Sequence, residues 1–129
     1  MDSQKIIGID PDVDKSGVCI VNNMLQIELL TTMDLVDLFA LIESMSDCRD
    51  IKVIVEAGWM NKTNFHVGAN HEIGRQIIKF CEKVGIECHA IKPKGHKMSA
   101  LDFKRISGWT KRTNQEMRDA YKIILEAMK

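Results

Sequence analysis

The chain has 129 residues, is 45% hydrophobic, and carries equal numbers of basic and acidic side chains, for a formal net charge of zero. That composition fits one globular domain over residues 1–129, and no apolar run approaches the roughly 20 residues of a membrane helix. With no signal-like apolar segment near the start and no C-x-x-C pair among its four cysteines, it reads as a cytoplasmic protein without a zinc finger.

Residues 4–10 form an apolar run through Ile6, Ile7 and Ile9 that stops at Asp10, and residues 17–21 form a second apolar run. The polar stretch Asp12 to Gly17 between them has turn composition, so the two strands should be antiparallel neighbours. Asn22-Asn23 signals a hairpin, and residues 25–30 supply a third strand. From Met33 the period changes. Leu35, Leu38, Phe39, Ile42 and Met45 recur at helical spacing, with Thr31 and Thr32 as candidate caps.

Residues 52–56 are a short buried strand that again ends in an acid, Glu56. A loop over 57–67 leads to a helix whose stripe is Ile73, Ile77, Cys81 and Val84, closed by Gly85. Residues 86–91 make the fifth strand. A basic segment, 92–112, holds a short helix near 99–106, and the last helix spans about 114–128. Residues 1–91 carry a net −6 and residues 92–129 a net +6, so the basic end is where a polyanion would bind.

A meander followed by alternating helices and strands predicts a mixed α/β sheet. A strand-helix-strand crossover returns parallel, so the fourth strand is expected on the open edge of the first. Asp10 and Glu56 would then lie side by side, about 5 Å apart, at the carboxyl edge where such sheets place ligands. On the last helix Glu116 and Asp119 are three apart and share a face. Converging acids repel unless a cation lies between them, and an all-oxygen set suits Mg²⁺ or Mn²⁺. Each acid also has a plainer reading: a turn at Asp10-Pro11, a strand end at Glu56, a surface position at Asp119. Glu116 in Thr113-Asn114-Gln115-Glu116 matches a capping box.

Gly8-Ile9-Asp10-Pro11, Ser16-Gly17, Val55-Glu56 and Thr113-Asn114-Gln115-Glu116-Met117-Arg118-Asp119-Ala120 together resemble the RuvC-type Holliday-junction resolvases of the RNase H-like superfamily, especially compact phage-like members. The resemblance implies an RNase H-like fold with a five-stranded mixed sheet in the order 3-2-1-4-5. It also implies a homodimeric, Mg²⁺-dependent endonuclease that nicks four-way DNA junctions in pairs, with two ions per site. By motif position, Asp10, Glu56 and Asp119 match the metal-binding acids, and Glu116 fills a slot where the family has Asp or His. Lys97 resembles a basic residue near the scissile phosphate, and Trp59 an aromatic wedge against junction bases. Lys62, Lys94, Lys104, Lys111 and Arg112 are further candidates for contacting DNA. The helix over 68–84 is the candidate dimer interface, with Gly74 as a point of close approach. Asp12 departs from the family's usual Gly. Two alternatives stand beside this reading: an RNase H-like nuclease acting on flaps, forks or RNA–DNA hybrids, and a branched-DNA-binding protein without catalysis.

Overall fold

In the computed structural model, residues 4–47, 50–58 and 68–128 are described. Five strands, β1 (Lys5–Asp10), β2 (Ser16–Val21), β3 (Ile27–Met33), β4 (Ile51–Glu56) and β5 (Glu87–Ile91), alternate with four helices, α1 (Leu35–Ser44), α2 (Gly68–Val84), α3 (Ala100–Ser107) and α4 (Gln115–Ala127). The sheet order is β3-β2-β1-β4-β5. β2 is antiparallel to both its neighbours, while β1, β4 and β5 run parallel, which is the arrangement expected from the crossovers.

Alternation along the strands sorts the core into two layers. Ile7, Ile9, Val18, Ile20, Val53 and Val55 face α1 and α2, meeting Leu38, Ile42, Ile77 and Cys81. Phe39 and Phe80 stack between those helices with centroids 4.3 Å apart. On the other face Ile6, Cys19, Val21 and Ile54 meet Ala120, Tyr121, Ile123 and Ile124 of α4, with Phe103 of α3. Burying each of these large side chains is worth about 1.5–3 kcal/mol, so both layers are needed to hold the sheet. Because side chains alternate, Asp10 and Glu56 belong to the same face as Ile6 and Ile54. That face carries α4.

α4 lies very close to the sheet, and two glycines permit it. A Cβ on Gly8 would sit 2.1 Å from the Ala120 carbonyl oxygen, and one on Gly17 would sit 2.0 Å from that of Glu116. Any side chain at either position would push the helix away. On the flank of α4 away from the acids, Tyr121 meets Phe103 edge-on at 5.1 Å, and Met98 and Trp109 pack on the same cluster.

Three local expectations are corrected. The third strand is Ile27–Met33 rather than 25–30, because the turn is longer than the Asn-Asn pair implies. Asn22 Oδ1 accepts from the amides of Met24 and Gln26, and Leu25 takes a left-handed φ of 61°. Thr31 and Thr32 are therefore strand residues, and Asp34 caps α1 by accepting from the Asp37 amide at 2.8 Å. At α4 the cap is Asn114, which accepts from the Met117 amide at 2.9 Å, so the capping box anchored on Thr113 does not form.

Gly74 is buried on the same stripe of α2 as Ile77 and Cys81. Cys19 and Cys81 are buried and Cys88 is half-buried, all with free thiols. No helix among the described residues is long and apolar enough to cross a membrane.

Candidate metal centre

Each acid of the centre arrives by a separate route. Asp10 ends β1, Glu56 ends the parallel neighbour β4, and the register Ile9 to Val55 carries on to bring the two acids level. Asp119 stands one turn into α4, held over the sheet edge by the close contact of that helix with Gly8 and Gly17. One carboxylate oxygen from each of Asp10, Glu56 and Asp119 lies within 4.8 Å of the other two. Three residues separated by most of the chain therefore share one point.

The electrostatics of this point are unfavourable without a cation. Burial raises the Asp10 carboxyl far above the ordinary aspartate range, and its hydrogen bond to Glu56 with the charges of Glu56 and Asp119 adds to the rise. Glu56 is raised too, first by burial and then by the Asp119 charge, while its bond to Asp10 and the charge of Lys97 oppose the shift. The pair thus retains protons where ordinary carboxylates have lost them. Oε2 of Glu56 is buried with no hydrogen-bond partner. An orphaned carboxylate oxygen among convergent acids is the donor set that a hard divalent cation satisfies, and the residues fit Mg²⁺ or Mn²⁺ on that ground.

Asp119 is the best-supported of the three. Its Oδ1 accepts from Gln115 Nε2 at 2.8 Å and its Oδ2 from Lys97 Nζ at 2.9 Å. Gln115 is itself fixed, because Arg118 Nη2 donates to its Oε1 at 3.2 Å. Arg118 in turn donates from Nη1 to Thr113 Oγ1 and from Nε to the Met98 carbonyl. Beside the acids opens a cleft of about 260 Å³, lined by Glu56, Gly58, Pro93, Gly95, Lys97, Asp119, Lys122, Ile123 and Glu126.

Of the residues picked out from sequence, Asp10, Glu56, Asp119 and Lys97 are brought together. Glu116 is not one of the three acids that meet. It occupies the first turn of α4, where a carboxylate favours the helix dipole, and its backbone lies against Gly17. Lys94, Lys104, Lys111 and Arg112 are exposed and do not line the cleft. Lys111 sits over the Trp109 ring, 5.4 Å from its centroid. Trp59 and Lys62 lie outside the described residues. Asp12 belongs to the turn: its amide donates to Ser16 Oγ at 3.1 Å, and its φ is not left-handed, so a residue with a side chain is accommodated there without strain.

Sequence reasoning missed Gln115, Arg118, Lys122 and Glu126. A signal for the last two was present. Positions 119, 122 and 126 share a helical face that is otherwise small or apolar, so a Lys and a Glu there had to be meeting something.

Comparison of the coordinates with solved structures finds RuvC of Thermus thermophilus bound to a Holliday junction substrate, with a TM-score of 0.72 at 15% identity over 95% of this chain and 90% of that one. The fold is that of RuvC. A second structure of T. thermophilus RuvC superposes with a TM-score of 0.68, also at 15% identity, over 95% of this chain and 92% of the other. No family model matches the sequence, and no curated protein proved similar to it. The likeness of fold extends over nearly the whole of this chain and of both RuvC chains.

Proposed function

We propose that this protein is a divalent-metal-dependent endonuclease that cuts four-way DNA junctions. The observation that carries the reading is the meeting of Asp10, Glu56 and Asp119 at one sheet edge, with Glu56 Oε2 buried and unsatisfied, on the fold of RuvC. Asp10, Glu56 and Asp119 would hold Mg²⁺ or Mn²⁺. Glu116, on the turn of α4 before Asp119, is the fourth acid of the reading, supported by its place in the motif. The bound metal supplies an activated water and charge stabilisation at a phosphodiester.

The protein's own groups set up that chemistry. Gln115 and Arg118 keep the Asp119 carboxylate in one orientation. Lys97, its side chain largely exposed, offers a positive charge to an incoming phosphate beside the acids. Gly8 and Gly17 keep α4 near enough for Asp119 to reach the other two acids. Lys62, Lys94, Lys104, Lys111 and Arg112 supply further phosphate contacts, and Trp59 stacks against junction bases. Paired nicks call for two copies of the site, hence a homodimer.

The test is cleavage of a labelled four-way junction, a flap, linear duplex and an RNA–DNA hybrid, each with Mg²⁺ or Mn²⁺. Paired symmetric nicks in the junction, lost in Asp10→Asn, are expected. Cleavage of the hybrid or flap alone would replace the substrate, and tight junction binding without cleavage would replace the enzyme with a binding protein.

A further inference from the structure

The segment between β5 and α3 carries Lys97, and α4 grips that segment at two places. On the near side, Met98 gives its carbonyl oxygen to Arg118 Nε at 3.1 Å and to Gln115 Nε2 at 3.4 Å. On the far side, the Lys94 peptide is held at both its polar groups. Its N–H donates to the Glu126 carboxylate, at 3.2 Å to Oε2, and its carbonyl accepts from Lys122 Nζ. Lys122 also pairs with Glu126. That ion pair is mostly shielded, with side chains 20% and 11% exposed. A charge pair so nearly buried is costly to desolvate, and replacing it with apolar side chains is often neutral or stabilising. Its presence is therefore better explained by what it holds than by the stability it adds.

What it holds is the approach to the acid cluster. Asp119, Lys122 and Glu126 form one stripe at i, i+3 and i+7. Lys97 Nζ meets the first of these, and the Lys94 peptide meets the other two. Gly95, at φ +70°, turns the chain between them. We infer that Lys122 and Glu126 are positioning residues that clasp the Lys94 peptide to α4 and so deliver the Lys97 ammonium to Asp119 in the cleft. Anchoring the backbone on both sides of Lys97 fixes the point from which its side chain starts, so that fewer of its rotamers lose contact with Asp119 through movement of the loop. The catalytic consequence rests on the nuclease reading above; the clasp itself does not.

The experiment therefore has two arms. In the first, amide hydrogen exchange is followed without DNA or metal in the wild type, in Glu126→Gln, and in the double variant Lys122→Met/Glu126→Leu, which removes the clasp without stranding a buried charge. Exchange across residues 93–98 should accelerate several-fold while β1 and β4 stay protected. Unchanged exchange there overturns the clasp. In the second arm, single-turnover junction cleavage is measured for the wild type, the clasp double variant, Lys97→Met and their combination. The clasp changes should cost about tenfold in rate with little change in junction affinity when Lys97 is present, and cost nothing further when made on top of Lys97→Met. Full additivity would show that the pair does not act through Lys97 and would overturn the positioning role. A wild type that cuts no substrate would overturn the nuclease reading and this catalytic consequence with it, while the exchange result would still decide the clasp.

Discussion

Lys97 and Asp119 meet at 2.9 Å, although one side chain is 71% exposed and the other 8%. A mobile cation is tethered to a fixed, buried anion, and the pairing holds the Lys97 ammonium charge more firmly than usual. Because the lysine end of the pair is open to solvent, where water can replace it, the pair contributes little to folding, about 0–1 kcal/mol. Lys97→Met should accordingly leave the thermal midpoint almost unchanged. In the proposed reaction the same change should cost about 100-fold in single-turnover cleavage, the scale seen when one preorganised donor to a charged transition state is lost. Thermal melts and cleavage rates on the same preparation check both halves.

Asp10→Asn should stabilise the metal-free protein while abolishing the proposed junction cleavage. The sign follows from the raised Asp10 and Glu56 carboxyls. Their folded-state values lie above the unfolded ones, so between the two the folded protein binds more protons than the unfolded chain, and stability falls as pH rises. The full contribution is present below the ordinary aspartate value of 3.8 and is lost progressively above it. In chelator, the melting temperature should fall between about pH 5 and pH 8, less steeply in Asp10→Asn. Mg²⁺ or Mn²⁺ should restore it, and more at the higher pH. A melting temperature that rises over this range in chelator would refute the assignment of a strained acid pair.

Gln115→Leu removes the donor to Asp119 Oδ1 without touching any of the three convergent acids. Loss of such a supporting hydrogen bond should weaken Mn²⁺ binding by about 10-fold or more, since outer partners of metal ligands are commonly worth 10–100-fold. Isothermal titration with Mn²⁺ on the DNA-free protein measures this directly. Equal affinity for wild type and variant would mean that Asp119 needs no orientation.

Gly17→Ala and Gly8→Ala should each be severely destabilising, by about 3 kcal/mol, because the new methyl groups would meet backbone carbonyls rather than yielding side chains. Chemical denaturation reads the loss. The variants should also bind Mn²⁺ poorly even where they remain folded, as α4 can relieve the clash only by lifting Asp119 from the other acids.

Much of this was legible before any coordinates. Strand-end acids at Asp10 and Glu56, a meander on one side of β1 and crossovers on the other led to the sheet order and to the pairing of the two acids, since parallel neighbours must end together. Local hydrogen bonds were harder to read. The Asn22 side chain extends its turn and delays β3, and Asn114 rather than Thr113 caps α4, because one side-chain oxygen chooses between nearly equivalent amides. Gln115 and Lys122 escaped notice for another reason. Asp119 lies one turn from Gln115, an i, i+4 pair that helical spacing allows without singling out, and the face shared by 119, 122 and 126 shows that Lys122 meets something without naming the Lys94 carbonyl 28 positions away.

The contact of α4 with Gly8 and Gly17 gives the chain an unusual way of being divided. Asp10 and Glu56 lie on one side of the stretch before α4, and Asp119 on the other, so a break at about residues 108–113 would leave two fragments, neither with a complete set of ligands. Cation uptake would then require the helix to be handed back to its glycine-floored groove as a separate peptide.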